Sequence, residues 1–99
     1  MIQASRIRAI VSMQSRPLLK RHVRLQYDTV RQAWALLSPE RVFWPNDVSL
    51  DILRLCDGSH SVVHMIAVLA DQYEADQEDI AEDVTGFLQE WSDKFLVTL

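Results

Sequence analysis

Apolar and polar residues alternate one by one between residues 22 and 28, where Val23, Leu25 and Tyr27 are separated by polar side chains. A repeat of two residues is typical of a β-strand with one buried face. Apolar runs after this segment, separated by a polar loop and a proline-containing turn, predict two more strands. The predicted strands cover about residues 22–28, 33–37 and 41–44. Because short loops join them in succession, we expect a three-stranded antiparallel sheet.

After residue 46 the spacing of apolar residues changes to every third or fourth position, which is the repeat of one helical face. Three helices are predicted there, and each follows a residue with the chemistry of an N-terminal cap. The helices and their caps are 47–56 with Asn46 or Asp47, 62–73 with Ser61, and 77–94 with Asp76. A small antiparallel sheet followed by three helices is a winged-helix-like α+β fold.

The length and composition of the chain fit a single domain with one modest core. The chain has 99 residues, of which 48% are hydrophobic and only two are glycine. Residues 1–15 show weak periodicity, so we expect them to form a flexible N-terminal extension, and Met13 is an alternative start of translation. The domain itself is expected to cover residues 16–99.

Charge is distributed unevenly along the chain. Residues 1–41 carry eight basic side chains against two acidic ones, a net charge of +6, whereas residues 42–99 carry two basic against twelve acidic ones, a net charge of −10. This asymmetry indicates either a partner for one half or two halves that complement each other. The third predicted helix would repel phosphates, because Asp76 to Lys94 contains seven acids and one lysine. A winged-helix DNA-binding protein is therefore a disfavoured alternative, and no nucleic acid partner is expected.

The cysteine content and the apolar runs indicate the cellular compartment. A single cysteine excludes an internal disulfide, and residues 1–15 lack the continuous apolar segment of a secretory signal. The apolar runs are far shorter than the roughly 20 residues that a membrane-spanning helix needs. We therefore expect a cytoplasmic protein with no membrane partner.

Neither a metal site nor a catalytic site is predicted. Cys56, His60 and His64 are each four residues apart, but Gly58 interrupts the helical repeat between the first two, and no fourth ligand is in view. The chain has no glycine-rich phosphate loop and no G-x-S-x-G motif. We expect no catalytic residue, no metal and no cofactor.

The third predicted strand, residues 41–44, has little sequence left over to pair with its far side. An unpaired strand edge is a template for an extended peptide or for a second copy of the chain. Trp44 stands at the end of this strand beside Pro45, where one ring face can stay accessible. Two roles therefore remain open for Trp44, in the core or as an aromatic anchor for a peptide.

Several segments together resemble the pyrroloquinoline quinone biosynthesis protein D family. The resemblance covers residues 16–97, and its most specific part is Pro39–Val42 followed by Cys56–Gly58. The chain departs from the family pattern before the first helix, where it has Trp44–Asn46. The matching segments are Arg16–Pro17, His22–Leu25, Leu36–Val42, Ile52–Leu53, Leu55–Gly58, Val84, Phe87–Gln89 and Phe95–Val97.

The resemblance implies a peptide chaperone that is not an enzyme. Such proteins bind the ribosomally made precursor peptide of the quinone and present it to a radical S-adenosylmethionine enzyme, which cross-links a glutamate and a tyrosine of the peptide. The precursor is expected to add as a strand beside the third strand and to lie over the third helix.

Carried onto this chain, the resemblance gives two sets of peptide-binding residues, which differ in the flank of the third helix. The first set is Arg41, Val42, Phe43, Trp44, Asp83, Phe87, Glu90 and Lys94; the alternative flank is Gln77, Ala81 and Leu88. A homo-oligomerising interaction module that pairs through the same edge is the rival function, and a homodimer is compatible with both.

Overall fold

The computed structural model describes residues 8–99 and contains two small sheets and three helices. The strands are β1 (Leu18–Leu19), β2 (Arg24–Asp28), β3 (Ala33–Leu37), β4 (Val42–Phe43) and β5 (Val97–Thr98). The helices are α1 (Asp47–Arg54), α2 (Val62–Tyr73) and α3 (Gln77–Asp93). The predicted winged-helix-like α+β class, with a three-stranded antiparallel sheet before three helices, is confirmed.

The three-stranded sheet has the order β2–β3–β4, and all its pairs are antiparallel. Leu36 on the central strand lies opposite Leu25 on one side and Phe43 on the other. Because cross-strand partners share a face, these three side chains point the same way. Leu36 is 1% exposed and belongs to the buried core, so this face of the sheet packs on the helices.

Two strands are shorter than the sequence pattern predicts. β2 begins at Arg24 instead of residue 22, because the chain turns just before it with a hydrogen bond from the Val23 N–H to the Lys20 carbonyl (2.8 Å). β4 consists of Val42 and Phe43 alone, flanked by the turn before Arg41 and by Trp44. The hairpin loop between β2 and β3 covers residues 29–32, as predicted.

The helices begin where the caps were predicted. The Asn46 side chain accepts a hydrogen bond from the Ser49 N–H (2.9 Å) at the start of α1, and Ser61 does the same for α2. Asp76 precedes α3 without forming a side-chain cap bond. α1 ends at Arg54, two residues earlier than predicted, because the next N–H groups bond to carbonyls three residues back instead of four.

A second sheet, which the pattern did not predict as a unit, joins the two ends of the domain. β1 pairs with β5 in antiparallel fashion, and Leu18 of β1 also bridges Asp57 in the loop after α1. A two-residue strand is too short to show a periodic pattern, and its partner lies about 80 residues away in sequence.

Residues 8–15 lie against the helices. Arg8 forms an ion pair with Asp93 (2.6 Å), and the Val11 N–H donates to the Gln89 side chain (3.0 Å). The Val63 N–H at the start of α2 donates to the Met13 carbonyl (3.0 Å). Residues 1–7 fall outside the described residues, and the flexibility of the extension stays a prediction.

The hydrophobic core lies between the three helices, the inner face of β3, and β5. It includes fully buried side chains from each of these elements, among them Leu36, Ile52, Met65, Leu88 and Val97. None of the helices within residues 8–99 is both long and apolar enough to cross a membrane.

Candidate functional site

The outer edge of β4 is open. Within residues 8–99, β4 pairs with β3 on one side and with no strand on the other. The Ser38 N–H donates to the Arg41 carbonyl (3.0 Å), which makes these residues a hydrogen-bonded pair. Pairs alternate in an antiparallel ladder, so the next one, Leu37 with Val42, is not hydrogen-bonded. The N–H and carbonyl of Val42 therefore point away from β3, toward the open edge.

An apolar cleft of about 240 Å³ lies beside β4, where the sheet meets α1 and α3. Its base is formed by buried residues, Leu36, Leu53 and Trp91, and its sides include half-buried Phe43 and Phe87. The rings of Phe87 and Trp91 stack with centroids 5.3 Å apart, which fixes the α3 wall. The remaining lining residues are Trp44, Pro45, Asn46 and Ser49.

Two cationic side chains lie over the ring of Phe43 at one end of this cleft. The Arg41 guanidinium is 5.3 Å from the ring centroid, and the Lys94 ammonium is 5.6 Å from it. Lys94 also pairs with Glu90 (3.0 Å), one turn earlier on α3. Arg41 and Lys94 do not line the cleft themselves, but they place positive charge beside Phe43, which does. We call the part of the cleft beside Phe43 its cationic end and the part beside Trp44 and Phe87 its apolar end.

Trp44 lies at the boundary between two surfaces. It is 42% exposed, so it is not a core residue, and it lines both the cleft and a cavity of about 420 Å³ on the outer face of the sheet. The Arg31 guanidinium lies 4.8 Å from its ring centroid. Of the two roles left open by the sequence, the structure supports an accessible aromatic side chain.

The structure brings six of the eight predicted peptide-binding residues together, and leaves Asp83 and the side chain of Val42 apart from them. Phe43, Trp44 and Phe87 line the cleft, Arg41 and Lys94 contact Phe43, and Glu90 pairs with Lys94. Val42 is 52% exposed, and its side chain lines the outer cavity. Asp83 is exposed on α3 but does not line the cleft.

The alternative flank of α3 does not line the cleft. Leu88 is completely buried, Ala81 packs against the core, and Gln77 is exposed at the first position of the helix. Sequence reasoning also missed part of the cleft base: Trp91 falls in the predicted apolar stripe of its helix, and Leu53 was not singled out. A stripe residue at the edge of the core can contribute to both surfaces, and the stripe alone does not reveal this.

The side chains considered for metal or nucleophilic chemistry lie elsewhere. Cys56 is buried, its thiol donates to the Ile52 carbonyl (3.3 Å), and burial raises its pKa to about 12. His60 and His64 stack with centroids 5.4 Å apart, and His60 Nδ1 is 2.9 Å from an Asp57 carboxylate oxygen. No group of three or more potential metal ligands is found among residues 8–99.

The pKa of Asp57 is well below its usual range, for reasons local to its loop. The Ser59 hydroxyl and backbone N–H donate to the carboxylate (2.7 and 2.9 Å), and His60 adds a third hydrogen bond. This loop pairs with β1 through the bridge between Leu18 and Asp57, and none of its residues lines the cleft. Its carboxylate therefore has a structural role in the turn after α1.

Comparison with protein families gives a match over most of the domain. Residues 33–97 match the family described as coenzyme PQQ synthesis protein D (PqqD). A protein of Rhodopseudomonas palustris strain HaA2 named "PqqA binding protein" is 49% identical over 88 residues, which is 89% of this chain and 86% of that protein. A protein of the same name from Bradyrhizobium diazoefficiens is 43% identical over 88 residues, 89% of this chain and 85% of that one.

Two solved structures share the fold. The solution structure of the PqqD part of Methylobacterium extorquens PqqCD is described as a functional, stand-alone recognition element for ribosomally synthesised and post-translationally modified peptides. It is 34% identical, covers 90% of this chain and 95% of its own, and has a TM-score of 0.76. The crystal structure of PqqD from Xanthomonas campestris is 36% identical, covers 90% and 99% of the two chains, and has a TM-score of 0.58.

Proposed function

The chain belongs to the PqqD family, and from this premise we propose that it is a peptide chaperone that binds the ribosomal precursor peptide PqqA. The observation that carries the proposal is the open edge of β4 beside an apolar cleft. An extended peptide that pairs with an open edge gains main-chain hydrogen bonds, and pockets beside the edge add affinity for its side chains.

In the proposed complex, the precursor adds as a fourth strand next to β4. The outward N–H and carbonyl of Val42 supply the central hydrogen bonds. Side chains of a strand alternate between its two faces, so every second peptide side chain enters the cleft against Phe43 and Phe87, and the others lie beside Val42 and Trp44. Because the peptide must be ordered on binding, we expect a dissociation constant near micromolar or somewhat lower.

The proposed role is to bind and present, without catalysis, in the cytoplasm where the precursor is made. The partner that receives the peptide is the radical S-adenosylmethionine enzyme of the same pathway. The groups around the cleft fit a binding role, since they are apolar side chains, two cations and a strand edge. The proposed peptide-binding residues are Arg41, Val42, Phe43, Trp44, Phe87, Glu90 and Lys94, with Asp83 on the outer flank of α3.

A calorimetric titration with synthetic PqqA peptide tests this function. We expect saturable one-to-one binding by the wild-type chain. Val42→Pro removes the outward N–H and should weaken binding about tenfold, the value of one main-chain hydrogen bond. Val42→Ala is the matched control, because it shortens the same side chain and keeps the N–H. Absence of binding by the folded wild-type protein contradicts the proposed function, and equal binding by Val42→Pro and Val42→Ala contradicts the proposed edge.

The same open edge favours a second candidate function, self-association. Two copies that pair through β4 would form a two-fold symmetric dimer and cover each other's peptide site. Light scattering with and without PqqA distinguishes the cases. A dimer that dissociates as the peptide binds uses the β4 edge, and a dimer that is unaffected by the peptide uses another surface.

A further inference from the structure

We propose that the Arg41 end of the cleft selects an acidic side chain of the precursor, located two or four residues from the apolar side chain that fills the other end. This inference rests on the proposed function and specifies the ligand that the site recognises. It follows from the different chemistry of the two ends of the cleft and from the distance between them.

The cationic end is built from two separate parts of the chain. Arg41 precedes β4, and Lys94 follows the last residue of α3, yet both cations lie over the Phe43 ring at 5.3 and 5.6 Å. A peptide strand paired with β4 passes between these two elements. Its side chain at the level of Phe43 therefore lies within reach of a guanidinium and an ammonium group.

The charge of this end is only partly balanced. Lys94 pairs with Glu90 at 3.0 Å, whereas Arg41 takes part in none of the ion pairs formed within residues 8–99. Glu40 and Lys94 line a neighbouring cavity of about 160 Å³, without an ion pair between them. A carboxylate from the peptide can therefore accept hydrogen bonds from the Arg41 guanidinium, for which it has the matching planar geometry, and can share Lys94 with Glu90.

The other end of the cleft accepts an apolar side chain. Leu53, Phe87 and Trp91 line it, and the Ser49 N–H and hydroxyl both donate to the Asn46 side-chain oxygen (2.9 Å each). Burial of an apolar or aromatic side chain there removes apolar surface from water on both partners. This end therefore supplies affinity, and the cationic end supplies selectivity for charge.

The separation of the two ends sets the spacing in the peptide. Phe87 lies in α3 and Lys94 caps its C-terminal end seven residues later, which corresponds to roughly 10 Å along the helix axis. Side chains on one face of a strand recur about every 7 Å, so roughly 10 Å lies between a spacing of two residues and one of four residues (about 14 Å). The flexible lysine side chain can reach a carboxylate at either spacing. An apolar and an acidic side chain at this spacing would fix the register of the peptide, which backbone pairing alone leaves free to slip.

The test is a calorimetric titration of the full chain with synthetic PqqA and with PqqA peptides in which each acidic residue in turn is neutralised, Glu→Gln or Asp→Asn. The protein variants are Arg41→Gln and Lys94→Gln. Arg24→Gln is the matched control, because Arg24 is exposed on β2, the opposite edge strand. All three changes remove one charge from an exposed side chain, and circular dichroism checks that each variant is folded.

We expect one peptide substitution to weaken binding to the wild-type chain about five- to tenfold, because two cations lose one carboxylate partner. The same substitution should have less than half of that effect on Arg41→Gln or Lys94→Gln, and its full effect on Arg24→Gln. An effect of equal size in all four proteins, or the absence of any sensitive acidic residue, overturns this inference and leaves the proposed function standing. Absence of PqqA binding by the wild-type chain overturns both.

Discussion

β1 and β4 are both strands of two residues, but the fold uses their edges differently. β1 pairs with β5 on one side and bridges Asp57 on the other, and the Leu19 N–H donates to the Cys56 carbonyl (3.2 Å). β4 pairs only with β3 among the described residues. β1 thus uses one edge to join the two ends of the domain and the other to hold the loop after α1, whereas β4 keeps one edge unpaired.

The open edge of β4 is limited in length. Open edges promote aggregation, and proteins protect them by shortness, charge and proline. β4 has all three, since it spans two residues between Arg41 and the Trp44–Pro45 pair. An edge of this kind admits a short strand whose side chains fit the cleft, and it resists extension into a larger sheet.

The largest expected difference between the two strands is in their response to proline. Leu19→Pro removes a backbone N–H that β1 uses, and should lower the free energy of unfolding by about 3 kcal/mol or more. Val42→Pro on the open edge should lower it by less than about 1 kcal/mol. Urea unfolding measures both values, with Leu19→Ala and Val42→Ala as side-chain controls. Equal losses at the two sites would mean that β4 is as fully paired as β1.

A smaller effect on stability is expected in the loop after α1, which is bridged to β1. Gly58 has a φ of 81°, and a Cβ atom there would meet Leu18 only at an ordinary contact distance of 3.6 Å. The cost of Gly58→Ala therefore comes from backbone strain, and should be about 1–2 kcal/mol of unfolding free energy. Gly86→Ala is the matched control, because Gly86 is exposed in α3 and an added Cβ atom would meet nothing within 4 Å. This change should raise the free energy of unfolding by up to about 1 kcal/mol. We expect the PqqA affinity of Gly58→Ala to be unchanged, because this loop does not line the cleft.

A non-glycine residue with a positive φ follows the end of α3, just as Gly58, also with a positive φ, follows α1. Phe95, a bulky residue, has a φ of 61° and is 73% exposed. Phe95→Gly should relieve this strain and raise the unfolding free energy by about 1 kcal/mol. Phe95→Ala keeps a Cβ atom and should give no such gain. Thermal unfolding compares the two variants, and an equal shift in both would assign the effect to the side chain instead of the backbone.

The smallest predicted effect is on the pH dependence of stability, and it concerns Asp57, in the loop that β1 bridges. Hydrogen bonds from Ser59 and His60 lower the folded-state pKa of Asp57, so its carboxylate stabilises the fold above about pH 4. This contribution is lost as the pH falls through the lowered pKa. The melting temperature of the wild-type chain should therefore fall more steeply below about pH 4 than that of Asp57→Asn. If the melting temperatures of the two proteins changed with pH in parallel, these hydrogen bonds would not favour the charged carboxylate over a neutral side chain.

The sequence predicted local features of this molecule better than distant ones. Alternation of Val23, Leu25 and Tyr27 and the capping residues located the main sheet and the helices, because those signals come from neighbouring residues. β1 escaped prediction since its partners, β5 and Asp57, are remote in sequence.

The same limit applies to the cleft. Its β4 wall was predicted from the shortage of pairing partners, and Phe87 from the family resemblance. Trp91 was predicted as core and Leu53 was given no role of its own; both are buried in the structure, and both also form the cleft base. In a protein without its ligand, burial under a cleft and burial in the core have the same sequence pattern.

Amide hydrogen exchange with and without PqqA tests the added strand most directly. The outward N–H of Val42 should exchange at least about tenfold more slowly when the peptide is saturating, because a paired amide exchanges only on opening. The Leu19 N–H, already bonded within the fold, is the internal reference and should respond much less. Binding that reaches saturation while exchange at Val42 stays unchanged would contradict strand addition at β4.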